Sequence, residues 1–267
     1  MLRRGDTGDW VGSFIGHKGA VWEAVLDRAG NLCATASGDF SAALWDGITG
    51  AKLAQYGHKH IVKTVCFSPD SRSLATGGHE GVLRVFALNN YKEDKPVHTL
   101  TLPVKANITK SYWMGNDSPL GDNVVLTGDS KGTLSFWEVD KGTIKNTLQV
   151  EGAVMDMEVN ETLSIVTVSA GTKISFFDLN RMELIKAVDA PKGLHFREEG
   201  GASLHPDGSK FVAGGGDLWV RVFDFASGEC TETNKGHHGP IRCVRYAPGG
   251  ETYATGSEDG TIRLWRS

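Results

Sequence analysis

Residues 236–265 read GHHGPIRCVRYAPGGETYATGSEDGTIRLW. The segment opens on a Gly-His pair, alternates apolar and polar residues, and closes on an aromatic. Asp259 lies 22 residues past His237, Trp265 follows 6 later, and Thr255 precedes the acid by 4. The same intervals recur at His17, Thr35, Asp39 and Trp45, and again at His58, Thr76, Glu80 and Phe86. Four coincidences in three copies identify an internal repeat, and a repeat determines the fold before any single residue does.

Working inward from the well-formed copies, the aromatic position continues at Trp137, Phe177 and Phe223, giving intervals of 41, 51, 40, 46 and 42 residues from Trp45 to Trp265. These match the ~40–45-residue period of WD-repeat propellers. The middle copies are degenerate: Trp137 keeps Thr127 but has Lys131 at the acid position, Phe177 keeps Thr167 but has Gly171, and Phe223 keeps Asp217 but has Ala213 for the threonine. His195 lies 22 before Asp217 and is a further candidate for the histidine position. Within a copy, apolar residues alternate with period two (Val65 and Phe67, then Leu74 and Thr76, then Leu83 and Val85) between turn residues such as Ser68-Pro69-Asp70-Ser71. That is the pattern of short antiparallel strands, three or four per copy. One such sheet buries little; sheets stacked radially cover each other's faces and leave only short edges. The expected architecture is an all-β, six-bladed WD-repeat β-propeller, a single domain over 1–267. Its repeats run approximately over 16–56, 57–102, 103–149, 150–188, 189–233 and 234–267.

The ends of the chain look complementary. Residues 1–15 resemble the outer strand of an earlier copy, and the chain ends at Ser267 just after the third strand of the last one. Residues 10–15 (WVGSFI) are therefore expected to supply the fourth strand of the last blade and close the ring.

The repeated polar residues have a reading that requires no chemistry. An imidazole can donate to an acid in the turn and accept from a threonine on the middle strand, and an indole N–H completes the chain. His17, Thr35, Asp39, Trp45, His58, Thr76, Glu80, Phe86, His237, Thr255, Asp259 and Trp265 are accordingly assigned as structural tetrads, not catalytic triads. Phe86, Phe177 and Phe223 lack the donor, so their blades should be less tightly specified.

Composition limits the remaining classes. Glycine, 34 of 267 residues, is nearly twice its usual share of roughly 7%, as many tight turns require. The net charge of −4 gives no overall attraction to a phosphate backbone, and no basic stripe with interleaved aromatics appears, so RNA association is expected through protein partners. No apolar run is long enough to span a membrane, and the start MLRRGDTGDW lacks a signal-type apolar region, which reads as intracellular. Cys33, Cys66, Cys230 and Cys243 are scattered without a CxxC pair, and are expected to be buried reduced thiols. The sequons at Asn107, Asn116 and Asn160 are discounted for want of a secretion signal. No GxxxxGK[ST] loop, HExxH or GxSxG is recognised, so no catalytic residue, metal ligand, cofactor or small-molecule substrate is assigned.

A flat face built from loops on a rigid scaffold is where partners bind. Five residues past each well-formed His are Trp22, Lys63 and Arg242. One aromatic with two cations makes a plausible anchor set for a peptide or acidic segment, since Trp and Arg dominate interface hot spots.

The segments GHKGAVW (16–22), HKHIVKTV (58–65), GHHGPIRCVRYAPGGE (236–251) and GSEDGTIRLW (256–265), with the opening RGDTGDWVGSF, closely resemble the family of serine/threonine kinase receptor-associated (unr-interacting) proteins. GSxDGTxRLW is common to WD repeats; HKHIVKTV and RGDTGDW are the specific part. The resemblance covers nearly the whole chain and is weak between about residues 95 and 200. It implies a non-catalytic adaptor, cytoplasmic and nuclear. It associates that adaptor with the SMN complex and so with spliceosomal snRNP assembly and mRNA processing, with TGF-β-type receptor kinase signalling, and with translation control. Two departures stand out. Family members are seven-bladed and longer, whereas this chain begins within what resembles their first blade and lacks the tail. The loop KGLHFREEGG (192–201) is also longer than theirs. A ubiquitin-ligase substrate receptor is the less favoured alternative. Its docking arginine would lie three past the aromatic, where positions 48, 89, 140, 180 and 226 hold Ile, Asn, Asp, Asn and Ala.

Overall fold

A computed structural model describes residues 1–115, 118–121, 123–196 and 200–267. Among them there is no α-helix; apart from one 3-10 turn at Leu88–Asn90, the regular structure is antiparallel strand. The sequon Asn116 and residues 197–199 of the long loop lie outside the described residues. The chain divides into two compact units, Met1–Thr147 and Leu148–Ser267.

The first unit begins with β1 (Leu2–Arg3) and β2 (Trp10–Gly12). Its first blade comprises β3 (Val21–Leu26), β4 (Leu32–Ser37), β5 (Ser41–Asp46) and β6 (Lys52–Gly57). The second comprises β7 (Val62–Phe67), β8 (Ser73–Gly78), β9 (Val82–Ala87) and β10 (His98–Thr101). The third comprises β11 (Ile108–Trp113), β12 (Val124–Asp129), β13 (Thr133–Glu138) and β14 (Thr143–Gln149). Facing sheets interlock: Ala34, Ala36, Leu44 and Tyr56 of the first blade pack with Val62, Val65, Leu74 and Phe86 of the second. In the same way Ala75, Leu83 and Val85 pack with Ile108, Val125 and Trp137 of the third. Small residues on β4 and β5 let the large rings opposite fill the space between sheets.

The second unit holds the fourth blade, β15 (Val154–Asn160), β16 (Ile165–Ala170), β17 (Lys173–Asp178) and β18 (Glu183–Asp189). It also holds the fifth, β19 (Gly201–Leu204), β20 (Lys210–Gly214), β21 (Val220–Asp224) and β22 (Cys230–Asn234). The sixth has three strands, β23 (Ile241–Tyr246), β24 (Thr252–Ser257) and β25 (Ile262–Arg266). Ile174 and Phe176 pack on Phe211 and Phe223, and Val212, Val220 and Val222 on Ile241, Val244 and Tyr253.

Two expectations are corrected. Residues 10–15 do not complete the last blade: Trp10 pairs with Arg3 and Gly12 with Leu2, Phe14 packs on Trp45, and the sixth sheet has three strands. The reason is local. Arg4 N–H bonds the Asp9 carbonyl, Gly8 N–H bonds the Arg4 carbonyl, and Gly8 takes a positive φ, so a tight turn closes the strands at little loop entropy. The thiols also divide. Cys33 and Cys66 are buried, and burial raises them to about 11 and about 12, whereas Cys230 and Cys243 are exposed. Cys230 begins an exposed outer strand, and Cys243 lies on the exposed face of β23.

Candidate functional site

The first blade assembles its tetrad as a directed relay. Trp45 Nε1–H donates to Thr35 Oγ1 at 2.8 Å, Thr35 Oγ1–H to His17 Nε2 at 2.7 Å, and His17 Nδ1–H to Asp39 Oδ2 at 2.8 Å. The sixth blade repeats it: Trp265 to Thr255 at 2.8 Å, Thr255 to His237 at 2.7 Å, and His237 to Asp259 at 3.0 Å. Each acid also accepts the N–H of the residue after its histidine, Lys18 or His238, and so fixes the turn. Although burial opposes it, bonds from Ser41, Lys18 N–H and His17 hold the Asp39 carboxyl well below the usual range. Thr261 and His238 N–H do the same for Asp259.

The second blade runs its relay the other way. Phe86 has no N–H, so Thr76 Oγ1 is open to accept from His58 Nε2–H at 2.9 Å. His58 Nδ1 then accepts from Arg84, whose guanidinium also binds Glu80 at 2.8 and 3.1 Å. Burial first, and then the Arg84 charge, lower His58 to about 4. Burial works to raise Glu80, yet bonds from Arg84 and the Lys59 N–H bring it to about 2. The arginine four past the acid is the residue that sequence reading missed; it recurs in the chain as Arg84, Arg221 and Arg263.

The degenerate copies keep fragments. Trp137 donates to Thr127 at 2.9 Å, and Asp129, two before Lys131, accepts the turn N–H groups of Lys131 and Thr133. In the fourth blade, buried Thr167 Oγ1 and Ser169 Oγ find no partner. In the fifth, Asp217 pairs with Arg221 at 2.5 Å, and the buried His195 Nδ1 is left without a partner. In the intact tetrads Nδ1 meets the acid, which here is taken by Arg221.

Residues 128–132 spell GDSKG, a literal GxSxG that the sequence reading overlooks. It forms the β12–β13 turn, where Ser130 Oγ accepts the Asn107 N–H at 3.0 Å, in place of the strand-to-helix elbow that would expose a nucleophile. Asn160 is engaged as well, its Oδ1 accepting the Leu163 N–H.

Of the three candidate anchors, two meet. Lys63 Nζ lies 3.0 Å from the ring centroid of Trp22, on adjacent inner strands β7 and β3. Arg242, in the second unit, ion-pairs with Glu258. Inner strands are also tied by charge. Glu23 accepts from Thr64 Oγ1 at 2.6 Å, Val65 N–H at 3.0 Å and Lys110 Nζ at 2.8 Å, linking three blades of the first unit. In the second, Arg245 clasps Asp156 at 2.6 and 2.7 Å, while Glu158 accepts from Ser203 Oγ and Leu204 N–H.

The repeat family described as WD domain, G-beta repeat matches residues 8–46, 50–86 and 228–266, the copies with intact histidine, threonine and acid. The chain is 42% identical to the Serine-threonine kinase receptor-associated protein of Mus musculus over 268 residues, which is all of this chain and 72% of that one. It belongs to the serine-threonine kinase receptor-associated protein family. The chain's fold is that of the WD-repeat β-propeller. A crystal structure of the WD40 beta propeller domain of Doa1 matches with a TM-score of 0.78 at 20% identity, covering 96% of this chain and 82% of that one. A more distant likeness, 28% identity over 96% of this chain and 84% of the relative, is to Eukaryotic translation initiation factor 3 subunit I of Drosophila willistoni. In this member of the serine-threonine kinase receptor-associated family, the imidazole, hydroxyl and carboxylate groups of the first and sixth blades bind one another within their sheets.

Proposed function

We propose that this chain is a non-catalytic WD-repeat adaptor that acts in SMN-complex-linked assembly of spliceosomal snRNPs and in mRNA processing, in cytoplasm and nucleus. One observation carries the non-catalytic part: in the first and sixth blades the threonine hydroxyl bonded to the histidine is buried and takes the indole N–H as well, so no substrate carbonyl or phosphoryl group can reach it. Family membership supports the adaptor class; the assembly role follows the sequence resemblance. RNA is reached through protein partners. Neither membrane nor small-molecule substrate enters the reading, and no helix of the described residues is long and apolar enough to cross a membrane.

Trp22, Lys63 and Arg242 are proposed as partner contacts. Affinity purification of the tagged chain with mass spectrometry tests the role, and recovery of Sm and SMN-complex proteins is expected. Recovery of receptor kinases or Smads alone would move the reading to signalling, which the name of the mouse relative favours. Recovery of initiation factors alone would move it to translation, where the likeness to subunit I points. The triple alanine variant at 22, 63 and 242 should lose partner recovery; unchanged recovery removes all three contacts.

A further inference from the structure

Within each unit, neighbouring blades meet in one way. The first strand of a blade turns alternate apolar residues onto the blade before it. Val62, Val65 and Phe67 of the second blade pack on Ala36, Ala42 and Leu44 of the first, and Ile241 and Val244 of the sixth on Val212, Val220 and Val222 of the fifth. The residue that opens the strand acts as a knob in a notch. A Cβ on Gly77 would lie 3.0 Å from Ile108 Cγ2, and one on Gly214 2.8 Å from Ile241 Cδ1. The later blade thus fills space that a side chain on the earlier one would need, as close packing requires.

Two faces of this kind are open to water. In the first blade the three first-strand positions hold Val21, Ala24 and Leu26, all exposed. Val21 is 51% exposed, where its counterparts Val62, Ile108 and Ile241 are at 0%. In the sixth blade the opposite face carries Ala254, Gly256, Ile262 and Leu264, the counterparts of Ala34, Ala36, Ala42 and Leu44. Ile262 is 51% and Leu264 40% exposed, against 0% for Ala42 and Leu44. Among the described residues, a Cβ on Gly256 would meet only the Cys243 sulfur of its own blade, so no other blade enters that notch. Apolar positions that every other junction buries stand here in contiguous patches, the mark of an interaction surface.

We infer that the sixth-blade face of one molecule receives the first-blade face of a second copy of this chain. Val21 would enter the notch at Gly256, and Ala24 and Leu26 would lie against Ile262 and Leu264. The repeat itself names this occupant: the open face calls for a sheet with an apolar knob at the head of its first strand and two more apolar residues on the same face, and the first blade exposes such a sheet. The two faces differ, so the contact is head-to-tail. Two sixth-blade faces set against each other would bring Ile262 onto Ile262 and leave both notches without a knob. The inference is independent of the adaptor reading, since it concerns what the chain does with itself.

The test is sedimentation velocity of the full chain from about 1 to about 100 µM, the range of a modest protein contact, with Val21→Glu and Leu264→Glu. Both substitutions lie at exposed positions, so each variant should keep the far-UV circular dichroism and thermal midpoint of the parent. The parent should show a weight-average mass that rises above that of one molecule with concentration, and each variant alone should sediment as single molecules. Mixed in equal amounts, the variants should form a one-to-one pair and nothing larger. The intact sixth-blade face of Val21→Glu then meets the intact first-blade face of Leu264→Glu, and both remaining faces carry the charge. Should either charge unfold its blade, Leu26→Ser and Ile262→Ser test the same pairing. A parent chain that stays single throughout overturns the inference, and leaves these faces to a sheet from another protein. Association by either variant alone, or a mixture that stays single, overturns it as well.

Discussion

Replacing Thr35 with valine keeps shape and volume but removes one oxygen from a buried relay. Thr35 Oγ1 receives the Trp45 indole N–H and donates to His17 Nε2. The substitution strands two polar groups in the sheet interior, at about 1–3 kcal/mol each, so a loss of about 2–6 kcal/mol is expected. Thr76→Val in the neighbouring blade is the internal control. Phe86 has no donor, so only His58 Nε2–H is stranded, with a loss of about 1–3 kcal/mol. Both threonines are buried in the first unit, so both variants report on the same unfolding transition. Urea titration followed by far-UV circular dichroism, analysed at common slope, reads the difference. A Thr35→Val loss no greater than that of Thr76→Val would refute the relay, as would losses below about 0.5 kcal/mol at both sites.

The pH dependence has a definite sign. His58 is lowered from its usual value of about 6.5 to about 4 in the folded chain. The unfolded chain therefore takes up a proton first as pH falls, and stability present above pH 6.5 is lost between there and 4, by up to about 3 kcal/mol. Glu80, lowered to about 2, adds a further loss between about pH 4.5 and 2. His58→Asn should flatten the upper window, measured as thermal midpoint against pH; an unchanged slope contradicts the assignment. Asp156→Ala should destabilise the second unit by about 2 kcal/mol. That is below the ~3–5 of a fully buried pair because the Arg245 side chain is 39% exposed. A urea midpoint equal to that of the parent chain would show the pair to be idle. Gly78→Ala should cost about 1–3 kcal/mol, since the new Cβ would lie 2.1 Å from the Ile61 carbonyl oxygen and the backbone must shift; a neutral variant contradicts that packing.

The strand sheets were legible because the intervals from histidine to acid to aromatic mark where each hairpin turns, and alternation marks which residues face inward. The N-terminal segment was misjudged because its likeness to an outer strand outweighed the tight turn at Arg4–Asp9, whose local pairing closes at low entropy. His58 shows a subtler limit: the repeat pattern identified the residue, but the direction of its hydrogen bonds depends on Phe86 and Arg84 together. The ties of Glu23 to Lys110 and Asp156 to Arg245 join positions 87 and 89 residues apart, which no local pattern brings together.

Nitrogen-15 NMR of the imidazole rings in the uniformly labelled chain measures the relay directions themselves. His17 and His237 should each be locked with the proton on Nδ1 and His58 with the proton on Nε2, all three with slow exchange. Rings that average between tautomers, or three histidines sharing one tautomer, would contradict the account of how these blades are held.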